Sequence, residues 1–463
     1  VTTEGTERLR IDSSGNVGIG TLDATGPVSL FHAQRGVVTN QGKWSDCAVA
    51  LDNRTNVGSY SQIGFGYTYQ TTYASAYLGY ISTNQSSKGY GDIVFGTRSV
   101  SSDTQPTERM RIDSSGRVLV GTTSASGSNL LQINSDASIN GLTVGRGAGN
   151  VSSNTASGNQ ALYNNTTGVQ NTSTGYQSLY NNTTANNNTA NGFQSLYSNT
   201  TGADNTAFGR ESLKSNTTGI NNTANGFFAL YSNSTGADNT AYGYRSLYSN
   251  TTATNNVAVG SYSLHANSTG AGNVATGYSA LFVNTTGSNN AAYGTRALNR
   301  NTTGAQNTAA GTESLQENTT GNKNAAFGAY SLRNNTTGAN NVSCGTEALN
   351  RNTTGSSNTA NGYAALYFNT TGTNNTATGF QALYTNTTGV DNSAYGMDAL
   401  LLNTTGSYNT ATGWRALKSN TTANNNVATG YNALYSNTTG NTNTATGRDA
   451  LYGNTTGASN VAI

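Results

Sequence analysis

"NTATGFQALYTNTTG" runs from Asn375 to Gly389. Seventeen residues earlier the chain reads "NTANGYAALYFNTTG", and seventeen later "NSAYGMDALLLNTTG". Counted outward from this stretch, the pattern fills eighteen units of 17 residues from Asn154 to Ser459, with no insertion in any of them. The template is N-[TVAS]-[AS]-x-G-x-x-[AS]-L-x-x-N-[TS]-T-[GA]-x-x, numbered here from its first Asn as position one. The fifth position is always Gly (Gly158, Gly175) and the ninth always Leu (Leu162, Leu179). The twelfth is always Asn (Asn165, Asn182) and the fourteenth always Thr (Thr167, Thr184). Such regularity is the signature of a solenoid in which each unit stacks on copies of itself.

A helical solenoid needs about 20 to 45 residues per repeat. Seventeen residues with two Gly- and Asn-rich corners suit two strands of about four or five residues and two turns. The spacing therefore predicts an all-β fold, a parallel β-roll or β-solenoid of eighteen coils. At ~4.8 Å per coil such a stack is roughly 85 Å long. One Leu per coil among small residues buries little apolar surface. The expectation is that several chains pack side by side and share a core.

Composition narrows the function classes. The chain has 463 residues, of which only 9% are charged, with a net charge of +2. That lacks the dense Lys/Arg patch of a nucleic-acid surface. Gly numbers 56 and Pro 2, which fits tight turns and excludes collagen. Cys47 and Cys344 lie in different segments, and His32 and His265 have no partner at ligand spacing. No disulfide framework, zinc site, cofactor site or catalytic set is expected from them. No window approaches the ~18 apolar residues of a membrane span. The chain starts on Val1 and stops four residues into a nineteenth unit, so both ends read as cut.

The first third is organised differently. "TERLRIDSSGNVGIGT" (Thr6–Thr21) returns as "TERMRIDSSGRVLVGT" (Thr107–Thr122). Alternating apolar residues around Asp-Ser-Ser-Gly predict a β-hairpin at each site. The expected organisation is a hairpin collar at 1–21, a small antiparallel β domain at 22–106 and a second collar at 107–123. An adaptor at 124–153 follows, then the shaft at 154–463.

The Asn-Thr-Thr triplet admits three readings. As a glycosylation acceptor it fails on spacing, because glycans one coil apart would overlap. As an ice-ordering face it would put Asn at twelve and Thr at fourteen on one side and the residue at thirteen on the other. The residues two or three positions away vary too much for a flat face. The third reading, adopted here, is a set of polar ladders in which Asn165, Thr167, Gly158 and Leu162 stack on Asn182, Thr184, Gly175 and Leu179, each polar side chain bonding the next coil. Where Ala185, Ala253 and Ala423 replace the Gly at fifteen, the left-handed corner is expected to move on to the next residue.

Tyr occupies the tenth position in nine coils: Tyr163, Tyr180, Tyr197, Tyr231, Tyr248, Tyr367, Tyr384, Tyr435 and Tyr452. This ladder is expected on the surface or at a subunit interface, where it either packs or grips sugar rings. Charged residues at position seven (Glu211, Arg245, Arg296, Glu347, Asp398) vary as a solvated face would.

The "N-T-A-x-G" and "A-L" stretches, with "NVAVG" (Asn256–Gly260) and the terminal "NVAI", resemble the head repeats of trimeric autotransporter adhesins of the YadA type. The two "TERxRIDSSG" hairpins, and arrays of "NTTG…NTAxGxxAL", resemble segments of bacteriophage tail fibres. The resemblances imply a homotrimeric, non-enzymatic structural fibre of an extracellular virion tail. Its implied partners are its own copies, other tail proteins, and a host-surface polysaccharide or protein receptor, with no nucleic acid and no membrane insertion. A bacterial surface adhesin or extracellular filament is the alternative. The period of 17 is longer than adhesin heads show, and no coiled-coil stalk, anchor or chaperone segment is present in the sequence.

Overall fold

In the computed structural model the described residues are 2–3, 6–7, 9–11, 17–19, 31–33, 49–50, 60–65, 76–84, 90–98, 105–125, 131–133, 137–139 and 142–463. They form two compact units, 1–136 and 137–463. Among the described residues there is no α-helix, and no helix long and apolar enough to cross a membrane.

The first unit is built from antiparallel strands, except that Leu131–Ile133 joins its sheet parallel to Val118–Val120. Leu9–Ile11 pairs with Val17–Ile19, and this pair continues through Phe31–Ala33 to Val49–Ala50 in a four-stranded sheet. The second hairpin, Thr107–Ile112 with Val118–Val120, lies inside a six-stranded sheet that begins at Tyr60–Phe65 and ends at Leu131–Ile133. The boundary expected at residue 106 thus falls within a sheet. Asp113 closes the hairpin by accepting from the backbone N–H groups of Ser115 and Arg117 and from Arg117 Nε. Burial opposes its ionisation, but these hydrogen bonds and the nearby guanidinium hold the carboxyl below its ordinary value.

The second unit is the solenoid. Each coil contributes one three-residue strand at positions two to four, as in Thr376–Thr378. Its Cα partners are Thr359–Asn361 of the preceding coil and Ser393–Tyr395 of the next, both parallel. The same register holds from Thr155 to Ala462 in one 21-stranded sheet. At its start Ala137–Ile139 and Leu142–Gly145 form an antiparallel hairpin, and Leu142–Gly145 pairs with Thr155–Ser157. A 3-10 turn at Ala148–Asn150 lies over the first coil, where the Ala148 N–H donates to Leu162 O at 3.0 Å. The expected adaptor is therefore in part a cap on the stack.

The second strand expected in each coil is absent; the rest of the coil is a succession of turns. The backbone explains why. Positions seven, nine and seventeen are left-handed in every coil, as at Gln381 (φ 53°), Leu383 (52°) and Asp391 (55°). Strand backbone needs negative φ, so a chain that turns left-handed at seven and nine cannot extend there. Gly379 at position five has φ 138°, where a Cβ would come 2.5 Å from the Gly396 carbonyl oxygen of the next coil. Position five is Gly for both reasons.

The core lies within one chain. Leu383, Ala377 and Ala382 are fully buried, and the equivalent residues form one continuous cluster along the array. The Leu column needs no second chain to cover it, contrary to the shared-core expectation. Copies that associate do so through outward positions.

Candidate functional site

The interior of each coil is half polar, and two Asn ladders run through it. Asn386 Nδ2 donates to Asn369 Oδ1 of the preceding coil at 2.9 Å and to the Gly389 carbonyl of its own coil at 3.1 Å. Asn375, at position one, donates to the same carbonyl: its Nδ2 lies 2.8 Å from Gly389 O, and its backbone N–H donates to Asn358 Oδ1 at 3.0 Å. One carbonyl thus ties the start of the coil to its last corner. Both Asn columns are buried, with relative exposure near zero. Among the ladder residues named from sequence, Asn182 donates to Asn165 Oδ1 at 2.9 Å, Leu162 and Leu179 are fully buried, and the Gly158 Cβ position is blocked 2.3 Å from Gly175 O. The position-one ladder was not anticipated, although an Asn there in every coil is visible in the sequence.

The Thr residues divide differently from the expectation. At position thirteen the hydroxyl does the bonding: Thr166 Oγ1 donates to Thr183 O at 2.9 Å, and Thr387 Oγ1 to Thr404 O at 3.0 Å. At position fourteen Thr167 and Thr184 are exposed, as is the Thr of every other coil, and their hydroxyls have no partner within the chain. Asn at twelve and Thr at fourteen do not share a face, because the intervening backbone is a turn and not a strand. The Asn of each Asn-Thr-Thr triplet before the last coil is enclosed with its amide hydrogens engaged, which leaves no room for a glycan on the folded coil.

The corner at fifteen also differs. Gly168 is not at positive φ; the left-handed residue is seventeen, as at Gln170. In the Ala coils it stays there, at Asn187, Asn255 and Asn425, and does not move to Asn186 or Asn424. The smallness of position fifteen comes from close approach instead. A Cβ on Gly389 would lie 2.3 Å from Gly406 O, yet Ala185, Ala253 and Ala423 are accommodated and buried.

Three outward faces follow the stack. The first, positions six, seven, ten and eleven, carries charges and ring stacks. Tyr163 stacks on Tyr180 and Tyr180 on Tyr197, with centroids 5.2 Å apart. Tyr231 stacks on Tyr248, Tyr367 on Tyr384, and Tyr435 on Tyr452. Tyr163 and Tyr452 are exposed and the other seven are half-buried. Rings stacked along the axis cover each other's faces and present edges outward, which disfavours the sugar-gripping reading of this ladder. Tyr248, His265 and Phe282 continue one stack, and the Arg245 guanidinium lies 5.3–5.6 Å from the Phe228, Tyr244 and Tyr248 rings. Burial first, and the Arg245 charge second, hold His265 below its ordinary pKa.

Position seven is less solvated than its variability suggests. Glu211 and Asp398 are buried, and they pair with Lys214 at 3.0 Å and Arg415 at 3.4 Å. Glu313 pairs with Arg333 at 3.0 Å. These carboxylates are engaged in ion pairs between and within coils.

The second face is the Thr corner, positions thirteen, fourteen and sixteen. The third is the outer side of the strand column, positions two and four, where no residue in any coil is charged. Among the described residues no three His, Cys, Asp or Glu side chains converge as a metal site would require. No protein-family model, no curated protein and no solved structure matches this chain.

Proposed function

We propose that this chain is the shaft of a structural fibre, assembled as a homotrimer in a bacteriophage tail, that holds host-binding surfaces away from the particle. The observation that supports this reading is the unbroken register of the coils, in which backbone, Asn and Thr ladders repeat from the first coil to the last. A rod so bonded resists bending, because each layer fixes the next through several short contacts. Stiffness and repetition suit attachment, where many weak contacts act together and avidity replaces single-site affinity. The partners are other tail proteins at one end and a host polysaccharide or protein receptor. No enzymatic step belongs to this reading.

Labelling intact particles with an antibody raised against residues 154–463 tests it. The expected result is label along slender tail appendages, with purified protein visible as rods of roughly 85 Å. Label on bacterial surfaces, with secretion genes beside this one, would instead support the adhesin alternative. New reducing ends after incubation with host polysaccharide would overturn the non-enzymatic assignment.

A further inference from the structure

Aromatic residues sit on this stack in two distinct ways. On the charged face they are mutually satisfied in stacks. On the strand face, Phe208, Tyr242, Tyr293, Phe327 and Tyr395 at position four are exposed by 39–47% and have no ring or cation partner. No two of them fall in adjacent coils. Phe327 is flanked by Ala310 and Cys344, and Tyr293 by Thr276 and Ala310, its strand partners on either side. Position two adds Val257, Val274, Ala291, Ala325 and Val342 to the same surface. The strand face is therefore flat, free of charge and studded with separated large side chains whose strand neighbours above and below are smaller, Ala, Cys, Thr, Val or Asn.

We propose that this strand face is where a second copy of the chain packs, parallel and in register. The inference rests on the reading of the array as a multi-chain shaft and names the surface that joins its chains. Three observations favour a copy of the chain over another occupant. A charge-free strip is what the centre of a permanent interface requires, while the neighbouring face holds the ion pairs of a solvated rim. Eighteen coils at ~4.8 Å, with a three-residue strand about 10 Å wide, offer roughly 850 Å² per copy, close to the ~800 Å² per partner of a stable interface. In parallel register about a common axis each isolated ring meets its counterparts at the same level, and the smaller residues at adjoining levels leave them space. A shift of one coil would set Phe327 against Ala310 or Cys344 and lose that match.

Cys344 lies exposed on this face beside Phe327, which makes a native probe available. Cys47→Ser leaves it as the single thiol. The native mass of this variant is measured first, and the protein is then oxidised with copper-phenanthroline and run on a denaturing, non-reducing gel. The expected result is an oligomeric mass and a covalent dimer. No cross-link is expected when the thiol is moved to the charged face by Cys344→Ser with Gln381→Cys. Phe327→Arg, an exposed change that leaves the core intact, should weaken association at least ten-fold. A monomeric mass overturns the shaft reading and this interface together. An oligomer that cross-links only through the Gln381→Cys thiol, or through neither, overturns the interface and leaves the shaft reading standing.

Discussion

The side-chain amide of Asn386 donates to the side-chain oxygen of Asn369, one coil away, at 2.9 Å, inside the solenoid and out of reach of water. The same amide also holds Gly389 O. Its carboxylate counterpart would offer neither hydrogen and would face two oxygens in a buried site. Asn386→Asp should therefore destabilise the array by at least about 3 kcal/mol. Because solenoid coils interact mainly with their neighbours, the loss should be local. Hydrogen exchange should rise in the coils around Asn386 first; uniform exchange along the array would contradict a nearest-neighbour ladder.

Leu383 combines full burial with a left-handed backbone at φ 52°. A β-branched side chain is strained there, which gives a physical reason why position nine is never Ile or Val while Val occurs freely at position two. Leu383→Ile is expected to cost about 1–3 kcal/mol beyond any repacking, and Leu383→Met less than about 1.5 kcal/mol. Urea midpoints of the two variants check this. Equal midpoints would mean that side-chain volume alone selects Leu.

Gly379 and Gly389 look alike in sequence but are small for different reasons. Gly379→Ala meets both a forbidden φ of 138° and a backbone oxygen at 2.5 Å. Gly389→Ala meets close approach only, and three coils already carry Ala at that position. The first substitution should lower the thermal midpoint by several degrees, on the order of 2–3 kcal/mol. The second should stay within about 1 kcal/mol of the parent. Calorimetry of the two variants separates the causes.

His265 is held below its ordinary pKa by burial and by Arg245, so the folded chain binds the proton less readily than the unfolded one. Its contribution to stability is full above about 6.5 and is lost as pH falls through that value towards the lower folded one. Acidification from pH 7.5 to 5 should loosen the coils around His265. His265→Tyr, which restores the commonest residue of that column, should remove this part of the pH dependence while leaving the contribution of Asp113 at lower pH. An unchanged profile would place the pH sensitivity elsewhere.

Much of the architecture was legible in the repeat. A period of 17 with fixed Gly, Leu and Asn demands stacked coils in one register, since a slip would take Leu383 off its Leu column and Asn386 off its Asn ladder. The Leu column, the Asn ladder at position twelve, the hairpins around Asp-Ser-Ser-Gly and the outward Tyr column follow from the same spacing. The direction of Thr at fourteen, the single strand per coil and the corner at seventeen did not. Each depends on backbone dihedrals that Leu, Gln and Asp adopt here against their intrinsic preference, and a preference scale cannot announce its own exceptions.

By itself, then, the sequence determined that the chain is a stack and which residues repeat in every layer, because periodicity is a property of the letters. Only the tertiary structure decided which invariant residues look inward. Asn386 is enclosed and Thr388, two residues on, is exposed. The strand-face rings are alone, while the Tyr384 ring is stacked on Tyr367. The physical reason is that burial is set by the path of the turning backbone between layers, and that path is fixed by contacts with neighbouring coils.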